Sequence, residues 1–145
     1  MRFRYKLQKI VDLKSNQKEQ AEWLLTGALS KLKLEEQSLE ELIMTRCSVE
    51  DAISVGASSG ISASELIMLE QYIQHIDMLI AQKKESIRQA QQEVDDKSEH
   101  LVAAMKDEKI WMKARERSLQ TFRAAFLRQE QAILDETAIT RFGKS

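Results

Sequence analysis

From Ser62 to Ile139 the chain runs for about 78 residues without a proline or a glycine. Proline is the residue that most effectively ends a helix, because it removes a backbone donor and clashes with the preceding turn. The stretch also carries an apolar residue in steps of three and four. These positions are Leu66, Leu69, Ile73, Ile76, Ile80, Lys83, Ile87, Ala90, Val94, Lys97, Leu101 and Ala104, and only the two lysines interrupt the pattern. An apolar seam every 3.5 residues is the signature of a coiled coil. A helix of this length would extend roughly 115 Å. Alone it would expose its whole seam to water, so it needs a partner.

The first third of the chain supplies one. A second seam runs through Leu7, Val11, Lys14, Lys18, Ala21, Leu25, Ala28, Leu32, Glu35, Leu39, Leu42, Arg46, Val49 and Ile53. Gly27 lies within it and costs about 1 kcal/mol relative to alanine, too little to break so long a helix. The pattern predicts a first helix over about 3–54. The segment 55–61, Val-Gly-Ala-Ser-Ser-Gly-Ile, is the one clear breaker. Gly56 is the expected C-terminal cap, because glycine readily takes a left-handed conformation. Ser62 and Glu65 form a capping-box sequence that starts a second helix over about 62–139. One short turn between two heptad helices implies a single all-α domain over 1–145: a long antiparallel two-helix coiled-coil hairpin, helix 2 longer than helix 1.

A turn centred near residue 58 or 59 would make the indices of facing residues sum to roughly 118. Leu42 should then face Ile76, Leu32 should lie near Ile87, and Glu35 should meet Lys83. Phe3 should fall near residue 115, leaving everything from about Arg115 to Ile139 beyond the N-terminus. The seam thins there, and a rotated stripe of Met112, Leu119, Phe122, Phe126 and Ile133 takes over. Large apolar side chains on an unpaired helix mark a surface for a partner, or for a second copy of the chain.

Charge is segregated in the same sense on both strands. Residues 1–18 carry six basic side chains and one acid, and residues 106–128 carry seven and three. Residues 35–51 carry six acids and one base, and residues 61–79 carry three acids and no lysine or arginine. A solvated face explains any one such run. The shared polarity suggests two binding ends with different partners, one basic and aromatic, the other acidic and apolar. The net charge of −1 favours neither nucleic acid nor membrane. A nucleic-acid-binding hairpin using the basic end is the competing reading; acidic residues dilute that end, and phosphate binding would weaken steeply with salt.

Catalysis is not expected. The chain has no phosphate-binding loop, Gly-x-Gly-x-x-Gly or Gly-x-Ser-x-Gly motif. His75 and His100 would lie almost 40 Å apart on a straight helix, too far to share a metal. A two-helix assembly offers no concave substrate site, and no cofactor is expected. The single cysteine, Cys47, cannot form an internal disulfide and reads as a small residue near the seam. Neither a signal peptide nor a membrane-spanning run is expected, so the reading is cytosolic.

The opening Phe3-Arg4-Tyr5-Lys6-Leu7-Gln8-Lys9-Ile10-Val11-Asp12-Leu13-Lys14 resembles the start of bacterial flagellar export proteins of the FliJ type. So does Lys18-Glu19-Gln20-Ala21-Glu22, and the Glu35-Glu36-Gln37…Leu39…Leu42 run, the short turn and the length are similar too. The resemblance implies a non-enzymatic component of the flagellar type III export apparatus. Its fold would be an antiparallel coiled coil similar to the central shaft of rotary ATPases. It implies binding to the hexameric export ATPase (FliI) and to the cytoplasmic domain of the export-gate membrane protein (FlhA), at the cytoplasmic face of the inner membrane; some family members handle export chaperones, and an export-chaperone-type adaptor is the alternative role. Carried onto this sequence, the ATPase-binding residues would be Phe3, Tyr5, Leu7, Trp111, Phe122 and Phe126. The gate-binding residues would be Leu42, Thr45, Val49, Tyr72, Ile76, Leu79 and Lys83. Some relatives carry tyrosine where this chain has Thr45 and Val49. Leu42 and Ile76 are also seam residues, so packing alone could explain them.

Overall fold

In a computed structural model, residues 2–143 are described. They form two α-helices, α1 (Gln8–Ser59) and α2 (Ala63–Gly143), packed antiparallel. All twelve predicted seam positions of α2 from Leu66 to Ala104 are buried or half-buried. On α1 the same holds for every predicted position except Leu7, which precedes the helix. The heptad therefore identified the packing face residue by residue. The chain divides into a turn unit, Glu22–His100, and a terminal unit made of residues up to Ala21 and from Leu101 onward.

The turn unit is held by a thin core. Ala28, Leu32, Ala90 and Val94 are buried together, with Leu25 and Ile87 packed against them. Alanine at positions 28 and 90 lets the two backbones approach, and the branched side chains fill the layers beside them. Ile76 is the largest fully buried side chain, at 1% exposure. Two polar interruptions of the seam meet across the helices: Lys83 Nζ lies 3.1 Å from Glu35 Oε2, as the pattern predicted. Arg46 Nε lies 2.5 Å from Asp77 Oδ1, and Arg46 also pairs with Glu50 one turn on. The Asp77 hydrogen bond is the main reason that the Arg46 guanidinium is raised above its ordinary value.

The turn itself differs from the sequence expectation. α1 continues to Ser59, and the left-handed residue is Gly60, at φ 76°, not Gly56. The Ile61 amide donates to the Gly56 carbonyl at 3.1 Å, the six-residue closing bond of a Schellman cap. Gly56 serves that cap differently: a Cβ there would meet Ile61 Cδ1 at 2.7 Å and Cγ2 at 2.9 Å. Ser58 and Ser59 stay helical by donating their hydroxyls to the carbonyls of Ser54 and Val55. Ser62 caps α2 as predicted, its Oγ accepting the Glu65 amide at 3.2 Å. The turn centre thus lies near Ile61, a few residues later than expected, which moves facing residues by about one helical turn. Lys83 and Glu35 still meet because a lysine side chain spans a turn. Cys47 is exposed, not near the seam.

In the terminal unit, Val11 and Ala21 are buried. Lys14 and Lys18, the polar seam positions of α1, are neutralised by Asp107 at 2.7 Å and Glu108 at 3.5 Å. The N-terminal segment corrects a second expectation. α1 begins at Gln8, not near Phe3, and residues 2–5 are non-helical. The Gln8 amide donates to the Tyr5 carbonyl at 3.1 Å, so a tight turn opens the helix. A non-helical residue can advance further than the roughly 1.5 Å of a helical one, so this segment and the later turn centre together carry Phe3 further along α2 than expected. Phe3 consequently packs on Phe122, and residues fully exposed without interruption begin only at Leu127, not near Arg115. Among the described residues, no helix is long and apolar enough to cross a membrane.

Candidate functional site

The terminal unit carries an aromatic cluster assembled from its two chain segments. The Phe3 ring lies 5.5 Å from that of Phe122, tilted by 53°, and Phe122 stacks on Phe126 at 6.5 Å. Phe122 and Phe126 are four residues apart on α2 and therefore share a face. The Arg115 guanidinium sits over the Phe3 ring at 5.7 Å, and its Nε donates to Gln8 Oε1 at 2.7 Å. The cation–π contact ties the non-helical N-terminal segment to α2, and the hydrogen bond ties the start of α1 to it. Phe3, Tyr5 and Leu7 line a shallow depression with Arg4, Lys6 and Ser118. The structure thus gathers Phe3, Tyr5, Leu7, Phe122 and Phe126. Trp111 is half-buried on the same seam, roughly 16 Å before Phe122 along the helix, and stands apart from the cluster. Arg115 is the member that sequence reading missed. Its seam position opposite an aromatic was the available signal.

The turn unit holds the second group. Tyr72 is about half exposed, and Thr45 is exposed with its hydroxyl donated to the Glu41 carbonyl at 2.9 Å. Leu42, Val49 and Leu79 are half-buried along the helix contact. Lys83 is engaged by Glu35. Ile76 is a correction: at 1% exposure it has no surface to offer a partner and belongs to the core. Exposed apolar side chains that the seam analysis did not single out flank Tyr72 in sequence, among them Ile67, Met68 and Met78, and Met44 adjoins Thr45 on α1. Methionine adapts its shape to a partner, and exposed apolar groups at this density mark interaction surfaces. Their signal was apolar character off the heptad.

Both groups combine apolar and charged side chains at the surface. The family model described as flagellar FliJ protein matches residues 3–145. No curated protein matches the chain. Among solved structures the chain is similar to that of a YscO homologue, CT670, from Chlamydia trachomatis. The TM-score is 0.60 at 18% identity, over 94% of this chain and 93% of that one, which shows a shared fold. With the family matched over nearly its whole length, the chain belongs to the flagellar FliJ family, a family of flagellar type III protein export components.

Proposed function

We propose that this chain binds the hexameric export ATPase (FliI) through its terminal unit and stimulates ATP hydrolysis there. Through its turn unit it contacts the cytoplasmic domain of the export-gate protein (FlhA), linking the ATPase to the gate at the cytoplasmic face of the inner membrane. The observation that carries this reading is the Phe3–Phe122–Phe126 cluster. It joins both chain segments of the terminal unit and adjoins Leu127, Ile133 and Leu134, all more than half exposed. Apolar surface of that extent on a charged helix is stable in water only at a cost that a protein partner would relieve. The turn unit supports the second contact with different chemistry, through Tyr72, Thr45 and Leu79 amid exposed methionines.

Binding of the purified chain to each partner tests this directly. Phe126→Ala with Leu7→Ala should weaken sedimentation with the ATPase and leave gate binding intact. Tyr72→Ala with Leu79→Ala should do the reverse. Wild-type-like binding of both partners by both variants would refute the assignment of surfaces.

A further inference from the structure

The outward face of α2 in the terminal unit carries a feature that the helix pairing does not explain. Lys106, Lys109, Lys113 and Arg117 recur in steps of three and four, so they share one face of the helix. The seam residues Ala104, Trp111 and Ser118 lie on the other face, against α1, and are half-buried, whereas all four cations are exposed. The nearby acids are already committed: Asp107 pairs with Lys14 and Glu108 with Lys18, both on the α1 side. Among the described residues, none of the four cations makes an ion pair. Glu116 is the one acid left beside them.

Apolar side chains are interleaved with this row. Val102, Met105 and Met112 are each about half exposed, and Ile110 is 65% exposed. Phosphate-backbone binding alone needs no aliphatic side chains, and valine, isoleucine and methionine offer no ring on which a base could stack. A bilayer uses both components at once. Headgroup phosphates neutralise the lysines while the aliphatic groups sink shallowly into the acyl boundary. We propose that the α2 face carrying Lys106, Lys109, Lys113 and Arg117, with Val102, Met105 and Met112, is a docking surface for an anionic lipid bilayer. The cation row lies on the face of α2 away from the aromatic cluster, with Met105 and Met112 flanking it on the side of Lys18 and Arg115, and the proposal does not rest on ATPase or gate binding.

Flotation of the full chain with vesicles tests it. Equimolar phosphatidylglycerol and phosphatidylcholine should recruit the wild type at low salt, and phosphatidylcholine alone should not. Each lysine near an anionic surface contributes roughly fivefold in affinity, so Lys106→Gln, Lys109→Gln and Lys113→Gln together should cost roughly a hundredfold. Three Lys→Arg substitutions should keep binding. Met105→Ser with Met112→Ser should leave a weaker, more salt-sensitive association. Unchanged helicity by circular dichroism accompanies each variant. Equal recruitment to both vesicle types would overturn the proposal, as would a triple Gln variant that binds like wild type. Retention on duplex DNA or on an acidic protein at physiological salt, with no vesicle binding, would overturn it too.

Discussion

Two glycines in α1 should respond in opposite directions to the same substitution. A Cβ at Gly27 would meet nothing within 4 Å. Gly27→Ala therefore gains the helix-propensity difference alone, about 1 kcal/mol, and should raise Tm by about 3 °C. A Cβ at Gly56 would sit 2.7 Å and 2.9 Å from two carbons of Ile61. Ile61 cannot move freely, because its amide closes the Schellman cap on the Gly56 carbonyl. Overpacking of this kind costs about 1–3 kcal/mol, which exceeds the propensity gain. Gly56→Ala should therefore lose about 1 kcal/mol net and lower Tm by about 3 °C. Thermal unfolding followed by circular dichroism at 222 nm measures both. Trimming the obstruction in Gly56→Ala/Ile61→Ala should recover much of the loss attributable to the clash, as a positive coupling in a double-mutant cycle. If Gly56→Ala stabilises as much as Gly27→Ala, Ile61 does not pack on Gly56 and the cap described above is wrong.

Three further outcomes are expected. Glu35→Gln and Lys83→Gln, analysed as a double-mutant cycle in urea, should show a coupling of about 0.5–1 kcal/mol that shrinks as salt is added; no coupling at low salt would remove this pair from the hairpin's register. Phe3→Ala should speed hydrogen exchange at the amides of Gln8, Ile10 and Val11, which form the first turn of α1, while exchange near Ala28 and Ala90 stays unchanged; equal effects at both places would mean that Phe3 does not pin the segment locally. The hydrogen bond from Arg88 holds the Glu85 carboxyl below its ordinary value of 4.5. A depressed folded-state pKa stabilises the folded chain above the ordinary value, and that contribution is lost as pH falls through the lower folded value. An NMR titration should place Glu85 below the ordinary glutamate range, and Arg88→Gln should return it; a midpoint indifferent to that change would refute the contact.

The long-range pattern was legible in the sequence and the ends were not. Each seam residue from Val11 to Ile53 and from Leu66 to Ala104 reports the same face, so dozens of positions agree and one error does not propagate. The turn depends on a single choice, which glycine takes positive φ. Gly56 and Gly60 lie four residues apart, and Ser58 and Ser59 read as loop residues although their hydroxyls allow them to finish the helix. The N-terminal start was hidden for a different reason. The seam begins at Leu7 and nothing ahead of it breaks a helix, so the pattern runs the helix back to Phe3; the backbone of residues 2–5 is non-helical, and Phe3 packs on Phe122 under Arg115. The same contacts determine the candidate site. Phe122 and Phe126 were conspicuous as apolar residues on a thinning seam, but their meeting with Phe3 depended on the non-helical segment and on where the turn falls. Ile76 shows the converse limit: a residue at a seam position can be assigned to a partner by resemblance and be buried by the fold.

ATP hydrolysis by the purified export ATPase, titrated with this chain at moderate salt, tests the central claim most directly. Wild type and the Tyr72→Ala/Leu79→Ala variant should stimulate hydrolysis alike, and Phe122→Ala/Phe126→Ala should lose the stimulation while remaining helical. Stimulation preserved in the phenylalanine variant, or absent with the wild type, would contradict the assignment of ATPase activation to the terminal unit.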